Sequence, residues 1–315
     1  MESQIRKRKF IIFEFLLDIS KNKALYLFML PGLLYFILFA YLPMAGIIVA
    51  FKDYKVNLGI LGSKWVGFDN FKFLFSSDKV LRVTWNTVFL NAMFIFFQQA
   101  IAIVTALFLN EVSSKLFKKV TQSFIFLPYF ISWIVVSVFA YNLFASEGGL
   151  LNSILAFLHI PEIAWGQRAD LWPGILVLFS IWKYAGFLTV IYIAAITGVN
   201  TEYFESAALD GATKLQQIRY ITLPVISPTI TIMILLSVGR IFYGDFGMIY
   251  ALVGDNASLY ATTDVIDTFV YRSLRTIGDA GMSSAAGLYQ SVVGFILVLG
   301  FNSLVKKYKS EGSLF

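Results

Sequence analysis

Six stretches of the chain stay apolar and almost free of charge for longer than a soluble helix needs. They cover residues 24–51, 83–110, 120–145, 171–197, 225–253 and 280–305. A bilayer core is crossed by about 20 apolar residues in a helix. Each stretch reaches that length, so the pattern predicts an all-α, polytopic membrane protein with six transmembrane helices. Pro31 and Pro43 predict that the first span bends or tilts. Ahead of it, Arg6-Lys7-Arg8-Lys9 leads into residues 10–19, an apolar run too short to span and interrupted by Glu14. Residues 1–23 are therefore expected to form a cytoplasmic or interfacial N-terminus. No small-residue cleavage site follows that run, as a signal peptide would require.

Between the fourth and fifth apolar stretches lies a polar, alanine-rich island, residues 200–224. Asn200 or Thr201 can cap a first helix, with Glu202 and Glu205 near its positive end. Gly211 is expected to break that helix, since glycine reaches backbone conformations closed to other residues. Thr213 followed by Gln216 spells a capping box for a second short helix, and Pro224 is expected to open the fifth span. Small residues at Ser206, Ala207, Ala208 and Ala212 offer a surface another protein's backbone can approach. The island reads as a docking knob, with an ordinary amphipathic loop as the alternative.

Basic residues set the orientation. With the N-terminus inside, the inner segments carry fourteen Lys and Arg and the outer ones nine, six of these in the long 52–82 connection where the rule is weakest. Both termini and the docking island then face the cytoplasm. The first span, 24–51, is expected to stand apart from a five-helix core over 83–305, and 306–315 is a short basic cytoplasmic tail.

Composition narrows the chemistry. Of 315 residues, 58% are hydrophobic and only 14% charged, against about 25% charged in a soluble domain. With no cysteine and one histidine, His159, thiol chemistry and a histidine metal cluster are excluded, and no cofactor is expected. The net charge of +6 suits contact with inner-leaflet lipid rather than nucleic acid. No phosphate loop of the G-x-x-x-x-G-K-[ST] kind and no G-x-S-x-G elbow occurs. The chain is thus expected not to be an enzyme, and energy must come from a partner or an ion gradient.

Charged groups inside spans are costly and usually face a pathway or a partner. Lys183, Arg240 and Asp245 lie deepest, with Gln98, Gln99, Asn91 and Asn142 adding neutral polar groups. Gln98, Lys183, Tyr184, Arg240, Tyr243 and Asp245 are the candidate substrate pathway. In a continuous helix, five residues apart, Arg240 and Asp245 would sit on different faces. A Lys183–Asp245 pair between spans is sterically freer. Helix pairing and substrate lining both remain open for these charges.

The island also carries a resemblance. Glu205-Ser206-Ala207, then Gly211 six positions after the glutamate, then Ile221-Thr222-Leu223-Pro224 is similar to the EAA loop of binding-protein-dependent ABC importer permeases. Ser206 stands where the usual middle alanine is. The resemblance assigns ATPase coupling to Glu205, Ser206, Ala207, Ala208, Asp210, Gly211, Ala212, Ile221, Leu223 and Pro224. It extends through Trp65-Val66-Gly67-Phe68-Asp69-Asn70-Phe71, Asn86-Thr87, Trp182-Lys183, Tyr192-Ile193-Ala194-Ala195, Asp264–Thr268, Tyr271-Arg272 and Ala286–Ser291 to the LplB-like branch of carbohydrate permeases, of MalF/UgpA type. Gly244-Asp245-Phe246 departs from the branch's usual Gly-Phe-acidic order. The resemblance implies a type I ABC importer permease fold and an oligosaccharide cargo. It also implies a second related permease, two copies of a cytoplasmic ATPase and an extracellular substrate-binding lipoprotein. A permease for amino acids, peptides or phosphate, or an ion-driven secondary transporter, is the alternative.

Overall fold

The computed structural model describes residue 18 and residues 21–72 and 78–308. The expected interfacial run at 10–19 lies outside them except for Asp18, as does the tail beyond Tyr308. The chain divides into two units, residues 1–70 and 71–315.

In the first unit, α1 (Lys23–Phe36) continues through a wide π turn at Ile37–Tyr41 to a tight 3₁₀ stretch, Ala45–Phe51. The wide turn lies immediately before Pro43, whose ring lacks an N–H and crowds the carbonyl four residues back. Pro31, by contrast, sits inside the helix. The connection that follows is not wholly irregular: β1 (Lys52–Asp53) pairs antiparallel with β2 (Lys64–Trp65). Trp65 stacks on Phe51 with ring centres 5.7 Å apart, and Phe68 meets Phe51 edge-on at 5.4 Å. Asn70 donates its amide to the carbonyls of Ala50 and Lys52 at 3.0 and 2.9 Å. The Trp65–Asn70 motif thus folds the hairpin back on the end of its own span.

The second unit is built on α2 (Asp78–Glu111) and α5 (Trp172–Thr197), which share its largest contact face. Between them in sequence come α3 (Lys115–Phe126) and α4 (Trp133–Phe144). After α5 come α6 (Thr201–Leu209), α7 (Lys214–Gln217), α8 (Leu223–Val238), α9 (Phe246–Val253), α10 (Ile266–Ile277) and α11 (Ala280–Tyr308). Among the described residues, five helices are long and apolar enough to cross a membrane. The segments Lys115–Phe130 and Trp133–Phe144, bent by 96°, make a sixth if counted as one span.

Two expected spans are corrected. The third, 120–145, is not straight: Pro128 and the capping Ser132, whose hydroxyl accepts from the Val135 N–H at 3.4 Å, start a new helix direction. The fifth, 225–253, is not continuous: α8 stops at Val238 and α9 starts only after Asp245. Its N-terminal end also differs, because α7 runs into α8 through a π turn at Ile218–Thr222 rather than starting afresh at Pro224.

Lipid tails are as apolar as leucine, so helices in a bilayer associate through close packing and hydrogen bonds rather than water exclusion. The α3–α5 contact shows this. A Cβ on Gly186 would run into the Ile125 carbonyl oxygen, so only glycine lets these helices come so close. Two of the three apolar clusters of the core lie along α2 and α5, and the third gathers Val83, Phe242 and Ile266. Of the first two, one gathers Leu90, Phe94, Trp172, Leu176 and Met248; the other gathers Ala102, Ala106, Tyr192, Ile193 and Ile226. Gln98, Gln99, Ser180 and Lys183 form a polar layer between the two.

Candidate functional site

The docking island folds as its local signals dictate. The Asn200 side chain accepts from the Glu202 N–H at 3.0 Å and caps α6. At the other end, Gly211 has φ +80°, the Ala212 N–H bonds to the Ala207 carbonyl at 2.9 Å, and the Gly211 N–H bonds to Ala208 at 3.1 Å. These paired bonds are a Schellman closure, which needs a left-handed residue at that point. Thr213 and Gln216 form a reciprocal capping box at the start of α7. Gln217 is buried and donates to the Phe204 carbonyl at 3.5 Å, tying the two short helices together.

Their outer surface is left bare. Glu205, Ser206, Ala208, Asp210 and Gly211 are exposed, Ala207 and Ala212 are half-buried, and Leu209 is 90% exposed. Ile221, Leu223 and Pro224 lie beyond this surface, where the second helix enters the span. Lys214 meets Glu111, the last residue of α2, at 3.2 Å. Exposed pairs of this kind contribute at most about 1 kcal/mol.

The polar layer opens into a cavity of about 650 Å³. Gln98, Tyr184, Arg240, Tyr243 and Asp245 all line it, together with Asn91, Phe94 and Ser180. Arg240 and Asp245 share the cavity because the break between α8 and α9 removes the helical geometry that would have separated them. Asp245 caps α9: one oxygen accepts from the Met248 N–H at 3.0 Å, the other from the Tyr184 hydroxyl at 2.7 Å and the Trp133 indole at 3.2 Å. Gln98 donates to Ser180 at 2.5 Å, and Tyr243 shares a hydrogen bond with Ser291 at 2.9 Å.

Lys183 lies outside this cavity and is 6% exposed. Its ammonium donates to the carbonyls of Pro128 and Tyr129, each at 3.4 Å, and to that of Ile131, with the Trp133 ring 4.9 Å away. These carbonyls end the first arm of the bent third span, where a helix terminus leaves acceptors short of partners. The Lys183–Asp245 pair, which the sequence left open, is not formed; Trp133 touches both residues.

A broken helix inside a membrane survives only if its freed backbone groups find partners within the protein. Asn91 donates to the Ile241 carbonyl at 3.0 Å, Gln290 to the Phe242 carbonyl at 3.0 Å, and the Gly244 N–H donates to Asp267 at 2.6 Å. Burial pushes the Asp267 carboxyl above the usual carboxylate range, opposed by the donors Gly244 and Gln290. Asp264 anchors the same region: Arg272 meets it at 2.5 Å and lies 4.0 Å over the Tyr260 ring. Asn86 donates to the Ala261 and Asp264 carbonyls, and Thr87 accepts from the Ile266 N–H at 2.9 Å. Trp133, Ser180 and Gln290 were not expected site residues. The glycine pair Gly239 and Gly244, with Asp245 as a capping residue, was the available signal for the break.

A family model described as "Binding-protein-dependent transport system inner membrane component" matches residues 98–310. Protein LplB of Bacillus subtilis is 37% identical over 294 residues, covering 93% of this chain and 92% of its own. The polygalacturonan/rhamnogalacturonan transport system permease protein YteP of the same organism is 38% identical over 297 residues, covering 94% and 92%. Among solved structures, a chain of a bacterial ABC transporter involved in the import of the acidic polysaccharide alginate superposes with a TM-score of 0.85. It is 33% identical, with 94% of this chain and 99% of that chain covered. The match spans more than half of the sequence, and the relatives align over nearly all of it: this multi-pass membrane protein belongs to the binding-protein-dependent transport system inner membrane component family.

Proposed function

We propose that this chain is the permease subunit of an ATP-driven, binding-protein-dependent importer of oligosaccharides. The observation that carries this is the cavity beside the break between α8 and α9. Its lining sets the hydrogen-bonding groups Asn91, Gln98, Ser180 and Tyr184 and the charged Arg240 and Asp245 beside the aromatic faces of Phe94, Tyr243 and Phe246, which suits a hydroxyl-rich cargo. The names of YteP and of the alginate transporter place polysaccharide transport among this chain's relatives. Gln98, Tyr184, Arg240, Tyr243 and Asp245 are the pathway residues in this reading.

Residues 200–224 are the coupling loop, with Glu205, Ser206, Ala207, Ala208, Asp210, Gly211 and Ala212 forming the knob. The knob faces the cytoplasm, where an ATPase receives it; Ile221, Leu223 and Pro224 pass its motion into the span. Hydrolysis belongs to that separate subunit. Because one chain carries one loop and the ATPase works as a pair, a second, related permease completes the pathway. An extracellular binding lipoprotein delivers the cargo; a binding-protein complex of the alginate transporter is among the similar structures. The test is uptake of labelled oligosaccharide by cells expressing the full set of subunits. Uptake should persist when the proton gradient is collapsed with ATP maintained, and stop when ATP is exhausted. The reverse pattern would point to an ion-driven carrier.

A further inference from the structure

Resting on the oligosaccharide reading, we propose that the cavity beside the broken fifth span takes sugars that carry carboxylates, and that Arg240 recognises them. The charges near this depth differ in one respect. Lys183 is consumed by main-chain carbonyls at the bend of the third span. Asp245 accepts three hydrogen bonds, and Asp267 accepts from Gly244 and Gln290. Arg240 lines the same cavity, is exposed, and has neither an ion pair nor a side-chain hydrogen bond with any described residue.

Its backbone is nonetheless fixed. The Arg240 N–H bonds to the Ser237 carbonyl at 3.0 Å, and its own carbonyl accepts from the Tyr243 N–H at 2.8 Å. The turn after α8 therefore presents a guanidinium from a rigid mount into a space with other hydrogen-bonding side chains, Gln98, Ser180 and Tyr243. A guanidinium held in a cavity among membrane-spanning helices is costly unless something compensates it. A neutral sugar supplies hydroxyls only; a uronate supplies a carboxylate whose two oxygens match the two parallel N–H donors of a guanidinium. Asp245 accepts three hydrogen bonds and Asp267 two, none of them from Arg240, so the guanidinium is open to a cargo carboxylate.

The rival is that Arg240 pairs with a carboxylate on the second permease. The experiment uses the complete transporter, reconstituted with its partner permease, ATPase and binding protein, and a panel of oligogalacturonates and neutral malto-oligosaccharides. The oligogalacturonates should enter. With Arg240→Gln their maximal uptake should fall about tenfold or more, as expected for losing one charge-assisted contact, at unchanged complex yield. Arg240→Lys should keep most of it. Full oligogalacturonate uptake by Arg240→Gln would overturn the inference, as would a loss matched by lost assembly, the mark of a subunit contact. Entry of neutral members alone would overturn it while leaving the carbohydrate reading standing; entry of none would overturn both.

Discussion

Lys183 donates its ammonium to the Ile131 carbonyl, at the point where the third span turns by 96°. A charge that looked like half of an ion pair is instead the cap of a broken helix. Removing it strands buried acceptors, at a cost on the order of 1–3 kcal/mol. Lys183→Met should therefore lower the yield and melting temperature of the purified complex. The double change Lys183→Met with Asp245→Leu should be worse than either single change, because Asp245 has separate duties to Tyr184, Trp133 and Met248. Thermal unfolding of both singles and the double decides this; recovery in the double would mean the two charges pair after all.

The opening in the fifth span depends on side chains from other helices, and Asp267 is the one that titrates. Asp267→Ala leaves the Gly244 N–H and the Gln290 amide short of an acceptor, again costing about 1–3 kcal/mol. Asp267→Asn keeps an acceptor oxygen and should retain most of the stability. The pH dependence has a defined sign. Burial raises this carboxyl in the folded chain above its unfolded value, so the folded state holds the proton more tightly. Stability from this site is greatest in acid and declines as pH rises through the raised value. Asp267→Asn should flatten that decline, which melting curves across pH would register.

The local signals of the island were legible because each is complete within a few residues: Asn200 as cap, Gly211 as break, Thr213 with Gln216 as box. The positions of the spans were legible for the same reason, since lipid imposes a length. The bend of the third span was hidden, because apolar composition continues across it, and the break after α8 was marked only by Gly239, Gly244 and the capping Asp245. Nothing in hydropathy distinguishes Ile131 at a 96° bend from its neighbours. The break at residues 239–245 is held open by Asn91, Asp267 and Gln290, which are distant in sequence. The cavity, and the company of Arg240 with Asp245 in it, is a tertiary fact.

Orientation follows from the charge asymmetry and should be directly measurable in this cysteine-free chain. Lys115→Cys and Lys214→Cys place thiols at exposed positions near the start of α3 and α7. In intact cells both should resist an impermeant thiol reagent and react only after permeabilisation. Labelling of both from outside would invert the topology.

Gly211 should tolerate little. Its φ of +80° is strained for a side chain by about 1–2 kcal/mol, although no heavy atom stands within 4 Å of a Cβ there. Gly211→Leu should distort the knob without disturbing insertion, and Glu205→Lys should alter its exposed face. Both variants are expected in the membrane at normal amounts, with uptake reduced at least tenfold and ATP hydrolysis released from transport. Gly211→Asn, which enters the left-handed region more easily, should be milder. Wild-type uptake in the leucine and lysine variants would remove the loop from the mechanism.

In the proposed function, the knob around Ser206 is where an ATPase subunit touches this chain. Ser206→Cys is a one-atom change at an exposed position, and a thiol-directed photocrosslinker there reports what lies within reach. In assembled transporter, the major crosslinked product should contain the ATPase, with a yield that changes between nucleotide-free and ATP-bound states. A crosslink yield to the ATPase no higher than that from a cysteine placed at Leu150, on the opposite side of the predicted membrane, would contradict it.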